Sequence, residues 1–493
     1  MYLMVLGLGL LISACILLYF VRSPAFSLFH PFTIYSAFHF LVFLIRPIFG
    51  YWLGYQQLYL AYRFVPSMDD RITVIAAANL GYLAFAFFCL RAGGMAMRFA
   101  ATPLHLEERQ QLSKIFIWVA CLCFPIALYS LANNFGSGGN FDGMVLDRTT
   151  GISINTKSNG YVTDAQLMLA PLCAIIAWLG RFRAISLLPV LGFVLLRGGS
   201  GGRGPFVAAM VMVGLLYLYE RRWRYPNLRI TGFLLVGAAF FSWVGADRGE
   251  ALRTMAGFTP VGNVRTVDEN AKFMETMDVA NMEFFEYIVW VVPQQSGTYD
   301  YFLNNLQVFT EPVPRVLWKA KPVGPPIQPV RLFDYGFPIG MTYSLPGAGW
   351  YSLGWLGVAI WCGLWGHVTG TVYRKFCQSD QSAIKTVAYF VFIASLVVAF
   401  RDGVLLSAIR QLGVYMAPIG IWYLLARFVG APRLADLARA ATNRMARAVT
   451  REQQSPADQA LAKLRNLPPA VRRRRLALQN VAIQTGSGSG VEE

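Results

Sequence analysis

The sequence predicts an all-α polytopic membrane protein. Of its 493 residues, 56% are hydrophobic and only 14% are charged, whereas a soluble domain carries about 25% charged residues. Apolar stretches recur along the chain at the length of about 20 residues that crosses a bilayer core as a helix. Arginine and lysine concentrate in alternate connections between these stretches, which is the pattern that orients membrane helices.

Eleven apolar windows are candidate transmembrane helices. The first has no basic region before it and no small-residue cleavage site after it, so we interpret it as a retained helix rather than a signal peptide. The windows cover approximately residues 2–21, 31–49, 72–90, 115–133, 164–180, 184–196, 206–219, 230–246, 349–372, 386–400 and 404–428.

The basic connections predict how these helices are oriented. Clusters of Arg and Lys occupy 91–114, 181–183, 220–229 and 373–385. With eleven helices, all four clusters and the Arg-rich tail fall on one side, which the positive-inside rule makes the cytoplasm. The N-terminus is therefore predicted outside and the C-terminus inside.

One large external loop follows from this topology, at residues 247–348. Its amphipathic stretch 282–294 is too short to span, and we expect it to lie against the outer membrane surface or the outer mouth of the protein. The transmembrane domain thus covers 1–429, and a basic tail follows at 430–493. An amphipathic helix at about 433–449 is expected to bind anionic inner-leaflet lipids.

Positive charge outside the membrane indicates that a phosphate group is bound there. The planar guanidinium of arginine binds phosphate oxygens bidentately, and the net charge of +17 is otherwise explained by the cytoplasmic connections and tail, so no nucleic acid is expected. Each residue taken singly is equally compatible with loop packing or ion pairing. The candidate binding residues are Arg197, Arg203, Arg315, Lys321, Arg331, Arg401 and Arg410.

The stretch between Arg197 and Arg203 is the most suggestive of these places. Five glycines lie among residues 198–204, and they would let backbone N–H groups approach a ligand closely. Pro205 is predicted to start the next helix, whose positive dipole end faces the arginines. Loop, arginine and helix start together predict a cradle for an anion.

Four short motifs resemble one family of membrane enzymes. "GGSGGRGP" (198–205), "EPVPRVLWKAKP" (311–322), the segment 340–366 and, more weakly, "FHFLVFLIRPIFGYW" (38–52) are similar to segments of Wzy-type oligosaccharide repeat-unit polymerases. The resemblance covers residues 31–429 in outline and implies a GT-C-like architecture. Two departures stand out: the first motif has an extra glycine, and "PGAGW" (346–350) replaces a segment in which the family often has an acidic residue.

The resemblance implies a reaction on the outer face of the bacterial inner membrane. A sugar hydroxyl of one undecaprenyl-diphosphate-linked oligosaccharide would attack the anomeric carbon of another, lipid diphosphate would leave, and an O-antigen or exopolysaccharide chain would grow. A chain-length regulator protein is an implied partner. External arginines would stabilise the leaving group. Because no histidine is predicted outside, the candidate general bases are carboxylates: Asp300, Glu311, Asp334 and Asp402.

Three other functions fit the same composition. An O-antigen ligase-like transferase would be expected to have an external histidine. A transporter of polysaccharide or lipid-linked sugar would be expected to carry charged residues within its spans, and these spans are nearly charge-free. A non-catalytic scaffold for polysaccharide export also remains open.

No cofactor and no metal are expected to take part. Asp69 and Asp70 occupy an early external loop, where many lipid-linked glycosyltransferases hold a metal with an acidic pair. Here the two are adjacent, Arg71 follows them, and acidic residues at the start of a helix are favoured by its dipole. The sequence therefore predicts metal-independent catalysis.

Overall fold

Helices make up nearly all of the regular structure. The chain divides into a compact unit that ends at Ala431 and a second unit that begins at Pro432. The computed structural model describes residues 1–99, 102–136, 144–146, 153–155, 164–199, 203–227, 231–232, 272–275, 279–313, 317–318, 320–322, 324–336 and 342–453.

Six helices precede the first long connection. A π-helical turn, Phe40–Ile45, joins the second helix to the third. Such turns shift the register of a helix and are frequent at functional sites. The six helices are α1 (Tyr2–Arg22), α2 (Pro31–His39), α3 (Arg46–Leu53), α4 (Gln57–Tyr62), α5 (Met68–Gly93) and α6 (Pro103–Gly136).

Eight further helices lie in the described part of the chain after this connection. Short helical turns at Ala165–Met168, Leu303–Leu306, Gln307–Thr310 and Leu332–Asp334 lie between them. The helices are α7 (Leu169–Leu179), α8 (Ala184–Gly199), α9 (Arg203–Glu220), α10 (Asn281–Val291), α11 (Leu345–Gln378), α12 (Ala383–Asp402), α13 (Leu405–Phe428) and α14 (Leu434–Gln453).

The one departure from an all-helical structure is a pair of strands. Met144–Leu146 and Ser153–Asn155 pair antiparallel, with Val145 opposite Ile154. These β-branched residues favour extended backbone, and they lie in a connection that the sequence analysis left without regular structure. Apart from this short pair, the described residues form only helical elements and their connections, so the prediction of an all-helical architecture is confirmed.

Several described helices are suited to cross a membrane, as the sequence predicts. The window 230–246 lies outside the described residues except for 231–232, so the number eleven stays a prediction. Three shorter apolar helices cover Ala165–Leu179, Ala184–Leu196 and Gly204–Glu220. The five segments that are long and apolar enough are Tyr2–Arg22, Pro31–Leu53, Met68–Gly93, Pro103–Ala132 and Ala383–Asp402.

Contacts between the connections define two ends of the bundle. At one end, which we call the Arg46 end, Tyr2 stacks on Tyr51 with ring centroids 5.7 Å apart, and Gln294 donates to Asp70 over 2.7 Å. At the other, the Arg109 end, His105 contacts the carbonyl oxygen of Asp380. All four basic connections contribute residues to this second end.

Helices α5 and α11 pack more closely than any side chain larger than glycine allows. A Cβ atom built on Gly366 would lie 2.5 Å from the carbonyl oxygen of Phe85, and one built on Gly370 would lie 2.5 Å from that of Cys89. Small residues at such contacts let helix backbones approach, which is how helices associate where the hydrophobic effect cannot drive them together. We call this contact, with Gly366 and Gly370 of α11 against α5, the glycine seam.

Helix α11 is broken near its start. Leu353 and Gly354 have non-helical backbone angles, and φ of Gly354 is +56°, in the region that glycine adopts most readily. The break folds the first two turns of α11 back, so that Gly349 and Gly357 touch through their backbones. As a result, the segment before the break belongs to the Arg46 end, beside α10.

The glycine seam predicts that Gly→Ala changes stability differently at two positions. Gly366→Ala should destabilise the protein by about 1–3 kcal/mol, because the new methyl group overpacks against the backbone of α5. Gly214→Ala in α9 meets nothing within 4 Å and should be neutral or stabilising by up to about 1 kcal/mol. Thermal unfolding in detergent, followed by tryptophan fluorescence, measures both. Equal unfolding temperatures for the two variants would contradict the close packing.

Candidate functional site

The turn between α12 and α13, residues 401–404, brings two predicted site residues together. Arg401 and Asp402 end α12, and Gly403 follows with φ of +71°. A Cβ atom on Gly403 would overlap the carbonyl oxygen of Ser344. Only glycine therefore fits this Arg401 turn, for both conformational and steric reasons.

Three other elements hold the Arg401 turn in place. The carbonyl oxygen of Arg401 accepts hydrogen bonds from the backbone N–H of Ser344 at 2.9 Å and from Nδ2 of Asn281 at 2.8 Å. Nε1 of Trp361 donates to the carbonyl oxygen of Gly403 at 3.0 Å. Ser344 precedes α11 and Asn281 starts α10, so the position of the turn is set by helices distant in sequence.

The Arg401 turn carries a buried N–H donor that lacks a hydrogen-bond acceptor among the described residues. Nε of Arg401 is buried, and among the described residues it has no hydrogen-bond acceptor. An unsatisfied buried donor typically costs about 1–3 kcal/mol. The half-buried carboxylate of Asp402 lies next to it and accepts from Ser407. This turn therefore presents a donor suited to an anion beside a potential proton acceptor.

The start of α9, which follows the glycine-rich stretch, lies beside the end of α12. Helix α9 begins at Arg203, two residues before the predicted start, and Pro205 therefore sits in the first turn, where no N–H acceptor is needed. A Cβ atom built on Gly204 would lie 3.9 Å from Cγ2 of Val398, one turn before Arg401. Gly204, the one glycine of the predicted cradle whose surroundings are described, therefore lies about one helical turn from the Arg401 turn. The side chains of Arg197 and Arg203 lie outside the described part.

Three more predicted residues join one ion-pair network. Nζ of Lys321 lies 3.5 Å from Oε2 of Glu311 and donates to the carbonyl oxygen of Glu311. Nη1 of Arg410, on α13, lies 4.0 Å from Oε1 of Glu311, and its Nε pairs with Asp164. Because these charges neutralise one another, the network connects the long loop to α13 and is poorly suited to bind an anion.

The remaining candidates are dispersed. Asp300 is buried and accepts from the backbone N–H of Asn304 at 2.9 Å, which caps the short turn after it. Burial raises the pKa of the Asp300 carboxyl to about 6. Arg331 and Asp334 are exposed on the turn Leu332–Asp334 and its flank, and Arg315 lies outside the described residues. The structure does not bring Arg331 and Asp334 into either charged group.

A second charged cluster was not predicted as a site. Glu283 and Glu286 lie three residues apart on α10, hence on one face, and they meet Arg46 and Arg71. Arg46 donates from Nε to both oxygens of Glu283 at 2.9 Å, and its Nη2 lies 2.8 Å from Oε1. Tyr59 donates to Oε2 of Glu286 at 2.6 Å. We call these five residues the α10 cluster.

Glu286 is the unusual member of the α10 cluster. It is fully buried, and its Oε1 atom has no hydrogen-bond partner within the described part of the chain. Burial raises the pKa of Glu286 from 4.5 to about 8, although Arg71 lowers it. A cavity of about 20 Å³ adjoins it, which is room for about one water molecule. Glu286 is therefore a proton-holding group at neutral pH.

The sequence contained a sign of this cluster. Arg46 lies inside the predicted window 31–49, and an ionisable residue within a span is by default a candidate functional residue. Arg46 is thus one of the few charged residues within these nearly charge-free spans. The amphipathic stretch was expected at the outer membrane surface or outer mouth of the protein. Its helix α10 lies inside the protein instead, with every residue except Trp290 buried.

The early acidic pair has a structural role in its buried member. Oδ2 of Asp70 accepts from the backbone N–H of Ser67 at 2.9 Å, and Ser67 Oγ accepts from the N–H of Asp70. This capping box stabilises the start of α5, while Asp69 is exposed. Among the described residues, no group of three or more His, Cys, Asp or Glu side chains is arranged to hold a metal.

Glu286 predicts an unusual pH dependence of stability. Between pH 4.5 and 8, the folded protein holds a proton that the unfolded chain has released, so stability should fall as pH rises through this window. The slope is at most about 1.4 kcal/mol per pH unit. Glu286→Gln should remove this slope, because glutamine mimics the protonated acid. Unfolding temperatures at pH 5, 6, 7 and 8 test it.

Two control variants sharpen this measurement. Glu107→Gln, at the Arg109 end, should keep the pH slope of the wild type. Glu283→Gln should lower stability at every pH by about 3–5 kcal/mol, because it leaves Arg46 buried without its ion-pair partner. A Glu286→Gln variant with the wild-type slope would exclude Glu286 as the titrating group.

Comparison with known proteins does not extend the family resemblance. No protein-family model, no curated protein and no solved structure matches this chain. The likeness to repeat-unit polymerases therefore rests on its short motifs. Its function has to be inferred from the Arg401 turn and the α10 cluster.

Proposed function

We propose that this chain is a glycosyltransferase that polymerises lipid-diphosphate-linked oligosaccharide repeat units. It acts on the outer face of the bacterial inner membrane, with about eleven membrane helices, the N-terminus outside and the C-terminus inside. The donor and acceptor are undecaprenyl-diphosphate-linked oligosaccharides. The tail helix α14 lies on anionic inner-leaflet lipids, and a chain-length regulator is a partner.

The location of all four basic connections at one end of the bundle supports this orientation. Residues of 91–114, 181–183, 220–229 and 373–385 line one common cavity at the Arg109 end. The positive-inside rule assigns such an end to the cytoplasm. The Arg401 turn and the α10 cluster lie at the other end, so both face outward in the proposed orientation.

The observation that carries the proposal is the unsatisfied Nε of Arg401 beside the start of α9. Its N–H lacks an acceptor among the described residues, and Arg203 begins the neighbouring helix, whose N-terminus favours negative charge. A diphosphate has two anionic groups and requires more than one cationic partner. Arg401 and the positive dipole end at the start of α9 favour negative charge at neighbouring places, and Arg203 is the second arginine that we assign to the diphosphate.

The reaction follows from the same geometry. An acceptor sugar hydroxyl attacks the anomeric carbon of the donor, the bond from that carbon to the diphosphate oxygen breaks, and the hydroxyl proton passes to a carboxylate. Charge develops on the leaving diphosphate, and positioned arginines stabilise it. Asp402 is the best-placed proton acceptor because it adjoins Arg401. Asp300, with a pKa near 6, is the second candidate.

One observation favours a transporter as the second candidate function. Arg46 lies in the candidate membrane span Pro31–Leu53 and forms a buried pair with Glu283 of α10, and ionisable groups in spans often mark transport pathways. No comparable observation favours a ligase. His30 and His105 lie at the Arg109 end, His39 is stacked on Tyr82, and His367 is exposed on α11.

Conservative substitutions at the diphosphate site test the proposal. Arg203→Lys and Arg401→Lys should each lower the rate of chain extension by about 10- to 100-fold, since lysine keeps the charge but loses the planar pair of donors. The assay incubates purified protein with lipid-diphosphate-linked repeat units and resolves the glycan ladder. Arg374→Lys, an exposed residue of the Arg109 end, is the control and should retain full activity.

The outcomes separate the two functions. A ladder of lengthened glycans from purified protein supports the polymerase. Transfer of labelled lipid-linked units across proteoliposomes without any lengthening would favour the transporter. Full activity of both Lys variants at normal expression would remove the Arg401 turn from the mechanism.

Metal removal gives a separate prediction. Chain extension should proceed at the same rate with excess EDTA, because the arginines neutralise the diphosphate and Asp70 is occupied as a helix cap. Loss of activity on chelation, with recovery in Mg²⁺ or Mn²⁺, would place a metal at Asp69 and Asp70.

A further inference from the structure

A cavity of about 260 Å³ lies at the Arg109 end, away from the Arg401 turn. Pockets for drug-sized ligands measure about 300–1,000 Å³, so this one suits a small polar group. Helices α6, α7, α9 and α12 surround it. The polar and aromatic residues that matter for its chemistry are Arg109, Trp178, Arg181, Glu220, Arg222 and Gln381.

Arg109 is buried in the wall of this cavity. Only 6% of it is exposed, and its guanidinium lies over the ring of Trp178, 4.1 Å from the centroid. Nη1 donates to Oε2 of Glu220 at 2.7 Å. Nε and Nη2 are also buried, and they have no acceptor in the part of the chain that the structure describes. Arg109 therefore has donors in excess of the single carboxylate beside it.

The rest of the cavity is also basic. Arg181 and Arg222 line it together with His105, and Glu220 is the one acidic residue among the lining residues. Arg181 and Arg222 have left-handed backbone conformations, with φ of +56° and +58°, which non-glycine residues rarely adopt. Both lie in turns that follow α7 and α9, so these turns direct two arginines to one place.

Membrane topology alone does not account for this arrangement. The positive-inside rule explains exposed arginine at a cytoplasmic end, and Arg374 is an example. It does not explain why Arg109 is almost fully excluded from water, since burying a guanidinium is costly unless its donors are satisfied. A negatively charged ligand in the cavity would offset this cost, because its charge would lie beside Arg109, Arg181 and Arg222.

We propose that this cavity binds the phosphate group of an anionic phospholipid head group. A phosphate diester offers two oxygens to arginine, and basic pockets between membrane helices on the cytoplasmic side are typical places for such head groups. Phe99 and Leu106 add apolar surface to the lining, which fits an amphiphile better than a free ion. The site is independent of the proposed polymerase function.

Lipid retention by the full-length protein tests this site. The protein in detergent is mixed with phosphatidylglycerol or with phosphatidylcholine of the same acyl chains, and bound lipid is counted by native mass spectrometry. The wild type should retain one phosphatidylglycerol with about tenfold preference over phosphatidylcholine. Arg181→Gln should reduce this preference about fivefold or more, since it removes a guanidinium donor pair. Arg374→Gln is the matched control and should behave as the wild type.

A second variant and a competition with inorganic phosphate complete the lipid-retention experiment. A folded Arg109→Gln variant should lose the preference for phosphatidylglycerol. If Arg109→Gln does not fold, Arg181→Gln still tests the site, because it leaves the Arg109–Glu220 pair intact. Displacement of the lipid by a few millimolar inorganic phosphate would assign the site to a soluble phosphate and overturn the lipid assignment. Equal retention of the two lipids by the wild type, or an unchanged preference in Arg181→Gln, would overturn the site itself.

Discussion

The buried ion pair between Arg46 and Glu283 is the interaction on which the Arg46 end depends. Both side chains are almost completely excluded from solvent, and an unpaired charge in such a place typically costs about 3–5 kcal/mol. The two charges are closely paired, since both carboxylate oxygens lie 2.9 Å from Nε of Arg46 and Oε1 lies 2.8 Å from its Nη2. It joins two residues 237 positions apart in the chain and thereby holds α10 inside the protein.

Helix α10 in turn positions the Arg401 turn. Asn281 at its start donates to the carbonyl oxygen of Arg401, and Trp350 of α11 donates to the carbonyl oxygen of Val292 at its end. The helix is thus anchored at both ends and in its middle. A change that released Glu283 from Arg46 would also loosen the turn that carries Arg401 and Asp402, without touching either residue. The same constraint explains Glu286, which lies inside the protein one turn beyond Glu283. Its nearest cationic influences are the half-buried Arg71 and, more weakly, Arg46, which is already paired with Glu283.

The arginines of this protein differ in function because they differ in pairing. Arg46 is matched by a buried carboxylate, and Arg410 is matched by Asp164 and Glu311 at the surface. Arg401 and Arg109 keep buried N–H groups for which the described residues provide no acceptor, as Arg71 also does at Nε. The carboxylate partners of Arg46 and Arg410 stabilise the structure, whereas Arg401 and Arg109, at opposite ends of the bundle, are suited to anionic ligands. Neither the residue type nor the predicted side of the membrane distinguishes a structural arginine from one suited to bind an anion. The side chains that surround each arginine make this distinction.

The sequence by itself determined the helices, because hydropathy over about 20 residues and the start and stop residues of a helix are local properties. The windows 31–49 and 72–90 therefore lie within described helices, and Asp70 acts at the start of α5 as its position suggested. Only the tertiary structure decided which charges meet. Arg46 appeared as an isolated charge in an apolar window until α10 supplied Glu283, and the stretch 282–294 gave no indication of which surface would bury it. Glu311 and Lys321 were predicted as site residues, but in the structure they form an ion pair with each other. Glycine is required at position 403 because a Cβ atom there would overlap the carbonyl oxygen of Ser344, and the sequence does not show this contact. Pairing energies depend on distance and burial, and neither quantity is defined until distant segments of the chain have packed.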